Sequence, residues 1–389
     1  GLPCALLLVL VLALTGSRAG WLYLGALSLL AGLWRRPGAA PRRLLPMALL
    51  LLPAFAAAQW LAHQPFMQGM SGVVTPTERL FDLANGVDVR LALWREAWHM
   101  LAAQPWLGVG FGQFAWHNFQ MASAGPTLLV GSVFNHSHNV VAQIGAEFGI
   151  AGLALFFVGG GLWLWGCLRR PATLPGWWVA ALLAVLGIHS LLEYPLWYAN
   201  FLGIAAILIG ATDAYTLRLR LSGLLQAAFG LMLLLSALAG LRMLNAYRQL
   251  EGLLLPHQVK MSAQDMDRVL QQVRQESLLA PYSDFAYALS IAPRRELLDE
   301  KIALNTQVMR FAPTQELVYR QALLLGLQGD SAAARAMLKR ALYVYPAGAG
   351  NFLQTWAGLD PESREQSEPL ATTARIFLQE RKQDAIRTK

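Results

Sequence analysis

Directly before a long apolar run the chain reads Phe134-Asn135-His136-Ser137-His138-Asn139. A histidine at the mouth of a membrane span places a titratable base at a water–lipid boundary. That position suits substrates that are themselves anchored in lipid. His138 stands immediately before the run and is the side chain suited to accept a proton; capping the helix beside Asn139 is its plain structural alternative. His136 and His138 together could hold a metal if further ligands existed, but His99 and His117 have no ligand-like spacing to them, so no metal site is expected. Two arginines offer the complementary chemistry. Arg18 sits in a tight turn between two apolar runs, where a lone arginine ordinarily snorkels to phospholipid headgroups. Arg90 opens an amphipathic stretch, where a cation near a helix N-terminus opposes the macrodipole unless an anion is bound or Asp88 pairs with it.

Further polar residues repeat at helical spacing. Asn139, Gln143 and Glu147 share one face of the run after the histidine cluster. His189 and Glu193 repeat the four-residue relation at the end of another run, leading into Glu193-Tyr194-Pro195-Leu196-Trp197-Tyr198. A polar network between helices and a functional role are equally open for these residues.

The elements that must position these groups follow from composition. The chain has 389 residues, 56% of them hydrophobic and only 14% charged, against about a quarter charged in soluble domains. Seven apolar runs read as membrane spans: 2–15, 20–34, 44–62, 139–168, 177–192, 199–216 and 222–244. Arg35, Arg36, Arg42 and Arg43, then Arg169 and Arg170, then Arg218 and Arg220 fall in loops on one side of this arrangement. The positive-inside rule makes that side cytoplasmic. Arg18, Arg90, His138 and Glu193 then converge on the opposite, extracytoplasmic side, where two arginines and a base suit a lipid-linked phosphate donor. The basic excess follows from topology, and nothing argues for nucleic acid.

The organisation is expected to be 1–62 transmembrane helices, 63–138 an extracytoplasmic segment, 139–247 further transmembrane helices and 248–389 a soluble helical domain. Within 63–138, Leu91, Trp94, Ala97, Trp98 and Leu101 predict an apolar stripe on a helix over Val89–Ala103 lying at the membrane interface. Pro105 ends that helix, and Gly108-Val109-Gly110-Phe111-Gly112 reads as a flexible turn. In the tail, Gly329 to Pro346, with small Ala334 and Ala341, reads as part of a tetratricopeptide-like (TPR-like) repeat. Cys4 and Cys167 lie in apolar runs and give no disulfide framework. Gly1 is not an initiator methionine and the first run lacks a basic flank, so the chain is expected to be the C-terminal part of a longer protein.

The turn Leu14-Thr15-Gly16-Ser17-Arg18-Ala19-Gly20, Arg90 with Trp94 and Ala97 leading to Pro105-Trp106-Leu107-Gly108-Val109-Gly110-Phe111-Gly112, and His138-Asn139 with Glu147-Phe148-Gly149 resemble the O-antigen ligase and polymerase superfamily. The resemblance covers roughly residues 10–210. The His-Ser-His-Asn form, the Glu193-Tyr194-Pro195-Leu196 turn and the helical tail are most similar to its bacterial protein O-oligosaccharyltransferases, the pilin glycosylases. It implies an all-α, GT-C-like polytopic membrane bundle and a metal-independent, inverting transfer without cofactor at the periplasmic face of the bacterial inner membrane. The donor would be an oligosaccharide on undecaprenyl diphosphate, held by Arg18 and Arg90. His138 would take the proton of the acceptor hydroxyl, with His136, Asn139, Glu147, Glu193 and Tyr194 supporting. The acceptor would be a Ser or Thr of pilin or another exported protein, a lipid A core sugar in lipopolysaccharide ligation, or a growing glycan in a polymerase.

Two other classes compete. A transporter for the lipid-linked glycan would place its polar residues near the bilayer midplane within repeated halves; here they gather at one face and no internal repeat is visible. A membrane scaffold recruiting partners through the tail would leave Arg18, Arg90 and His138 unexplained.

Overall fold

Each of the seven apolar runs forms a helix. In the computed structural model, which describes residues 2–17, 19–34, 44–62, 64, 76–122, 133–169, 173–212, 222–254, 263–275 and 278–387, these are α1 (Leu2–Leu14), α2 (Ala19–Leu33), α3 (Leu44–Ala62), α6 (Val140–Leu168), α7 (Leu174–Ser190), α8 (Ala199–Thr212) and α9 (Gly223–Leu254). Between α3 and α6 lie α4 (Pro76–Ala103) and the short α5 (Phe114–Met121). After α9 follow α10 (Ala263–Gln275), α11 (Ala280–Ser290), α12 (Leu298–Phe311), α13 (Gln315–Gln328), α14 (Ser331–Val344), α15 (Ala349–Ala357) and α16 (Pro361–Arg387). The described residues are all-α, with no strand among them. Leu44–Ala62, Val140–Leu168 and Gly223–Gly252 are long and apolar enough to cross a membrane, and α1, α2, α7 and α8 are shorter apolar helices.

The chain divides into two compact units: Gly1–Phe111 with His136–Leu217, and Gly112–Asn135 with Arg218–Lys389. In the first unit α1, α2 and α3 pack around Val9, Leu24 and the fully buried Phe55. The end of α2, the end of α6, the start of α7 and the end of α8 meet around one apolar cavity of about 740 Å³, lined among others by Trp34, Trp163, Cys167, Thr173 and Thr212. The Trp34 indole donates there to the Thr173 carbonyl at 3.2 Å. Of the basic loop residues used to orient the spans, only Arg169 is described; Arg35, Arg36, Arg42, Arg43, Arg170, Arg218 and Arg220 lie outside the described residues.

The apolar stripe expected on α4 at the membrane interface is divided between two faces. Leu93, Glu96, Ala97 and Met100 are buried, whereas Leu91, Trp94 and Trp98 are exposed. Lipid takes an apolar side chain as readily as a protein core does, so an apolar stripe need not turn inward in such a chain. The turn after α4 also differs from the flexible one expected. α6 is broken at Gly149 (φ 64, ψ −158), and the 105–110 segment fills the break. Val109 N–H donates to Ala146 O at 2.9 Å and Gly110 N–H to Glu147 O at 3.1 Å, while Ile150 N–H donates to Pro105 O at 2.7 Å and Ala151 N–H to Trp106 O at 3.1 Å. Backbone groups orphaned by the break are thereby paired, as buried peptide groups require. Two glycines permit the approach: a Cβ on Gly149 would stand 2.6 Å from Gly108 N, and one on Gly108 (φ 67) 2.4 Å from the Glu147 carbonyl carbon.

The second unit is built on the α13–α14 hairpin, where Gly329 turns the chain left-handed and Asp330 Oδ1 caps α14 by accepting from Ala333 N–H at 3.0 Å. Ala334 and Ala341 are fully buried, and Leu317, Leu323, Leu338, Phe352 and Phe119 of α5 share their core. Arg340 covers the Phe119 ring at 5.3 Å. The segment expected as one extracytoplasmic stretch, 63–138, thus contributes α4 to one unit and α5 to the other.

Candidate active site

Ser137 is the keystone of the histidine turn. It is wholly buried. Its N–H donates to Gln143 Oε1 at 2.7 Å, its carbonyl accepts the Trp94 indole N–H at 3.0 Å, and its hydroxyl donates to Asn139 O at 2.9 Å. Asn139 in turn caps α6, accepting from Val141 N–H and Ala142 N–H. The capping role therefore belongs to Asn139 and leaves His138 for other work. Between these fixed points His138 takes a left-handed backbone, φ 53. That conformation costs a non-glycine residue about 1–2 kcal/mol, and such strain persists where the surroundings over-determine it.

The left-handed turn aims His138 at the segment that follows α7. His138 Nδ1 lies 2.9 Å from Glu193 Oε2, and Arg90 Nη2 of α4 donates to Glu193 Oε1 at 3.1 Å. One carboxylate thus joins a base and a cation drawn from three separate segments. With the proton on Nδ1 directed at the carboxylate, Nε2 holds the lone pair, the tautomer a general base needs. Arg90 and Glu193 are each more than a third exposed and His138 about a fifth, so the pair meets solvent while the turn behind it is sealed.

His136 is of a different kind. Its ring packs tilted against Tyr194 at 3.5 Å between centroids and lies 4.1 Å from that of His138. Burial pushes its pKa down to about 4, the neighbouring His138 pushes the same way, and Glu193 opposes both. His136 is therefore neutral near pH 7 and acts as a packed aromatic. Tyr194 in turn stacks on Tyr198 at 5.6 Å, and the two hydroxyls lie 3.3 Å apart. Among the described residues no group of three or more His, Cys, Asp or Glu is placed to hold a metal ion.

The four-residue pairing of His189 with Glu193 is not made through side chains. His189 Nδ1 lies 2.9 Å from the Tyr23 hydroxyl of α2, and Glu193 turns to Arg90 and His138 instead. Glu147 is buried, with its backbone carbonyl taken into the Gly149 break. Arg18 lies outside the described residues. Sequence reasoning did not single out Ser137, Tyr23 or Tyr198. Polar Tyr23 in an apolar run was the available signal for one of them, and Ser137, flanked by two histidines, carried none.

Comparison with known proteins bears on both halves of this arrangement. A family model described as O-antigen ligase matches residues 3–157, and one described as virulence factor membrane-bound polymerase, C-terminal, matches residues 177–355. Arg90 and His138 fall in the first region and Glu193 in the second. The chain is 27% identical over 223 residues to the general O-oligosaccharyltransferase of Acinetobacter baylyi, across 55% of this chain and 38% of that protein. The chain therefore spans about two-fifths of the length of the curated relative it matches. No solved structure matches the chain.

Proposed function

The chain belongs to the O-antigen ligase and polymerase superfamily, and from that premise we propose that it transfers an oligosaccharide from undecaprenyl diphosphate to a Ser or Thr hydroxyl of an exported protein such as pilin. The observation that carries the reading is the Glu193 carboxylate joining His138 to Arg90. In the proposed step the acceptor oxygen attacks the anomeric carbon as the bond from that carbon to the diphosphate oxygen breaks. The diphosphate leaves with the electron pair, and the hydroxyl proton passes to Nε2 of His138. Glu193 orients the imidazole and stabilises the imidazolium that forms. Arg90, joined by Arg18, neutralises the charge that develops on the leaving group, where guanidinium forks match phosphate oxygens. A single displacement inverts the configuration, and no step calls on a metal or cofactor.

The reaction is placed at the periplasmic face of the bacterial inner membrane, the side opposite the arginine-rich loops. The α13–α14 hairpin is read as a TPR-like platform for the acceptor protein. The name of the Acinetobacter relative fits transfer of an oligosaccharide to an oxygen acceptor, and the two family models also fit ligation to a lipid A core or polymerisation of a glycan. The product separates these readings. The full-length protein, expressed in cells holding a known undecaprenyl-linked glycan, should give a glycosylated protein by mass spectrometry. A capped lipid A core or a lengthened polysaccharide would reassign the acceptor, and full transfer by His138→Ala would remove the general base.

A further inference from the structure

Helix lengths and contacts in the first unit disagree unless α6 bends. Trp163 and Cys167 near the end of α6 line the same cavity as Thr173 and Pro175 at the start of α7, so these two helix ends are level. α7 has 17 residues, about 25 Å at 1.5 Å per residue. α6 has 29 residues, about 43 Å if it were straight. A straight α6 would carry its N-terminus about 18 Å past the end of α7. Yet His138, just before α6, is 2.9 Å from Glu193, just after α7. The break at Gly149 reconciles the two. From Ile150 to Leu168 the helix is about 28 Å long, close to the roughly 30 Å hydrocarbon thickness of a bilayer. The lengths then agree if the leg from Val140 to Phe148 turns aside at the break instead of extending the span.

We propose that the bilayer boundary falls at the Gly149 break, with the Val140–Phe148 leg running along the membrane surface beside α4. The large apolar side chains around the break then seat at the level of the lipid headgroups. Trp106, Leu107 and Phe111 are 73%, 74% and 71% exposed, and Phe148 packs against Phe111 at 5.8 Å between ring centroids. Large apolar side chains left this open on a backbone fixed by four hydrogen bonds call for an apolar partner, and the indole of Trp106, apolar with one polar edge, favours the interface. The surface continues directly into the lipid-facing side of the span, where Leu155 is 78% exposed. Non-helical backbone at 105–110 and 149 is tolerated at this level because its polar groups are paired or meet water. Glu147 then stands above the hydrocarbon, and the inference holds whatever reaction the site performs.

Depth measurement tests it. With Cys4 and Cys167 replaced by serine, single cysteines at Trp106, Phe148 and Leu155 carry a nitroxide, and the chain is reconstituted in phospholipid vesicles. Oxygen and a water-soluble nickel chelate then compete as relaxants. Headgroup-level values at 106 and 148, with a hydrocarbon value at 155, are expected. A label at 148 as deep as that at 155 overturns the proposal. A label at 106 screened from both relaxants also overturns it, because a protein surface then covers the face. Leu107→Cys replaces Trp106→Cys if the latter fails to fold.

Discussion

At residue 138 backbone and side chain make separate demands, and substitutions can tell them apart. Alanine removes the imidazole and also sits poorly at φ 53, whereas asparagine removes the base but tolerates the left-handed region. His138→Asn should lose glycan transfer by roughly 10²–10⁴-fold while keeping the wild-type thermal midpoint. His138→Ala should lose transfer and about 1 kcal/mol of stability as well. Glu193→Gln should reduce transfer by roughly 10²-fold, since the amide keeps the shape but withdraws the charge shared by Arg90 and His138. All three losses of transfer are read by gel shift of the glycosylated acceptor at matched protein levels. His136 gives a pH signature. Its pKa of about 4 in the folded protein lies below its ordinary 6.5. As pH falls from 6.5 towards 4 the unfolded chain takes up a proton that the folded one refuses, so stability is full above that window and drains within it. Thermal midpoints in detergent at pH 7 and pH 5 should differ less in His136→Phe than in the wild type.

Among elements, the spliced α6 is the most exacting. Gly149→Ala places a Cβ against backbone atoms at 2.6 Å in a left-handed residue, a loss of about 3 kcal/mol. Gly159→Ala, ten residues on with open space around it, should be neutral or slightly stabilising, since alanine is the better helix former. Thermal unfolding of the two variants gives the contrast, and equal midpoints would refute the splice. The splice also marks where the sequence stops being legible. Seven helices could be read because the length of an apolar run is a local property. The break could not, because no neighbouring residue type marks Gly149 as a helix end and its partners lie about forty residues upstream. The resemblance includes Pro105–Gly112 and Glu147-Phe148-Gly149 as separate motifs, and the hydrogen bonds that join them appear only in the fold. The same holds for Glu193. Its acidity at a helix end was visible, but its helical spacing pointed to His189, while the turn after Ser190 swings it to Arg90 and His138. The inward face of α4 was hidden for a different reason: apolarity does not distinguish lipid from core.

For the whole molecule, two units formed from interleaved segments imply distinct sensitivities. Phe119 lies in sequence between Arg90 and His138 but is fully buried in the second unit. Phe119→Ala should cost that unit about 3–5 kcal/mol, whereas Ile376→Ala, 49% exposed on α16, should stay within about 0.5 kcal/mol. Limited proteolysis followed by mass mapping would show which unit loosens. The proposed chemistry also predicts that dialysis against a chelator leaves transfer by the full-length protein unchanged, measured as initial rate; restoration of a lost rate by a divalent ion would refute it.

The four hydrogen bonds across Gly149 also have a direction in time. Their upstream members, residues 105–110, leave the ribosome before residues 146–151, and synthesis runs at about 5–20 residues per second. When the broken helix emerges, the groups that complete it are already waiting. A circular permutation that placed the strap after the helix would reverse this order. It would leave Ala146, Glu147, Ile150 and Ala151 without partners for the seconds in which the nascent chain must enter the bilayer. The same contacts would then exist in the finished protein but arrive too late to guide its insertion.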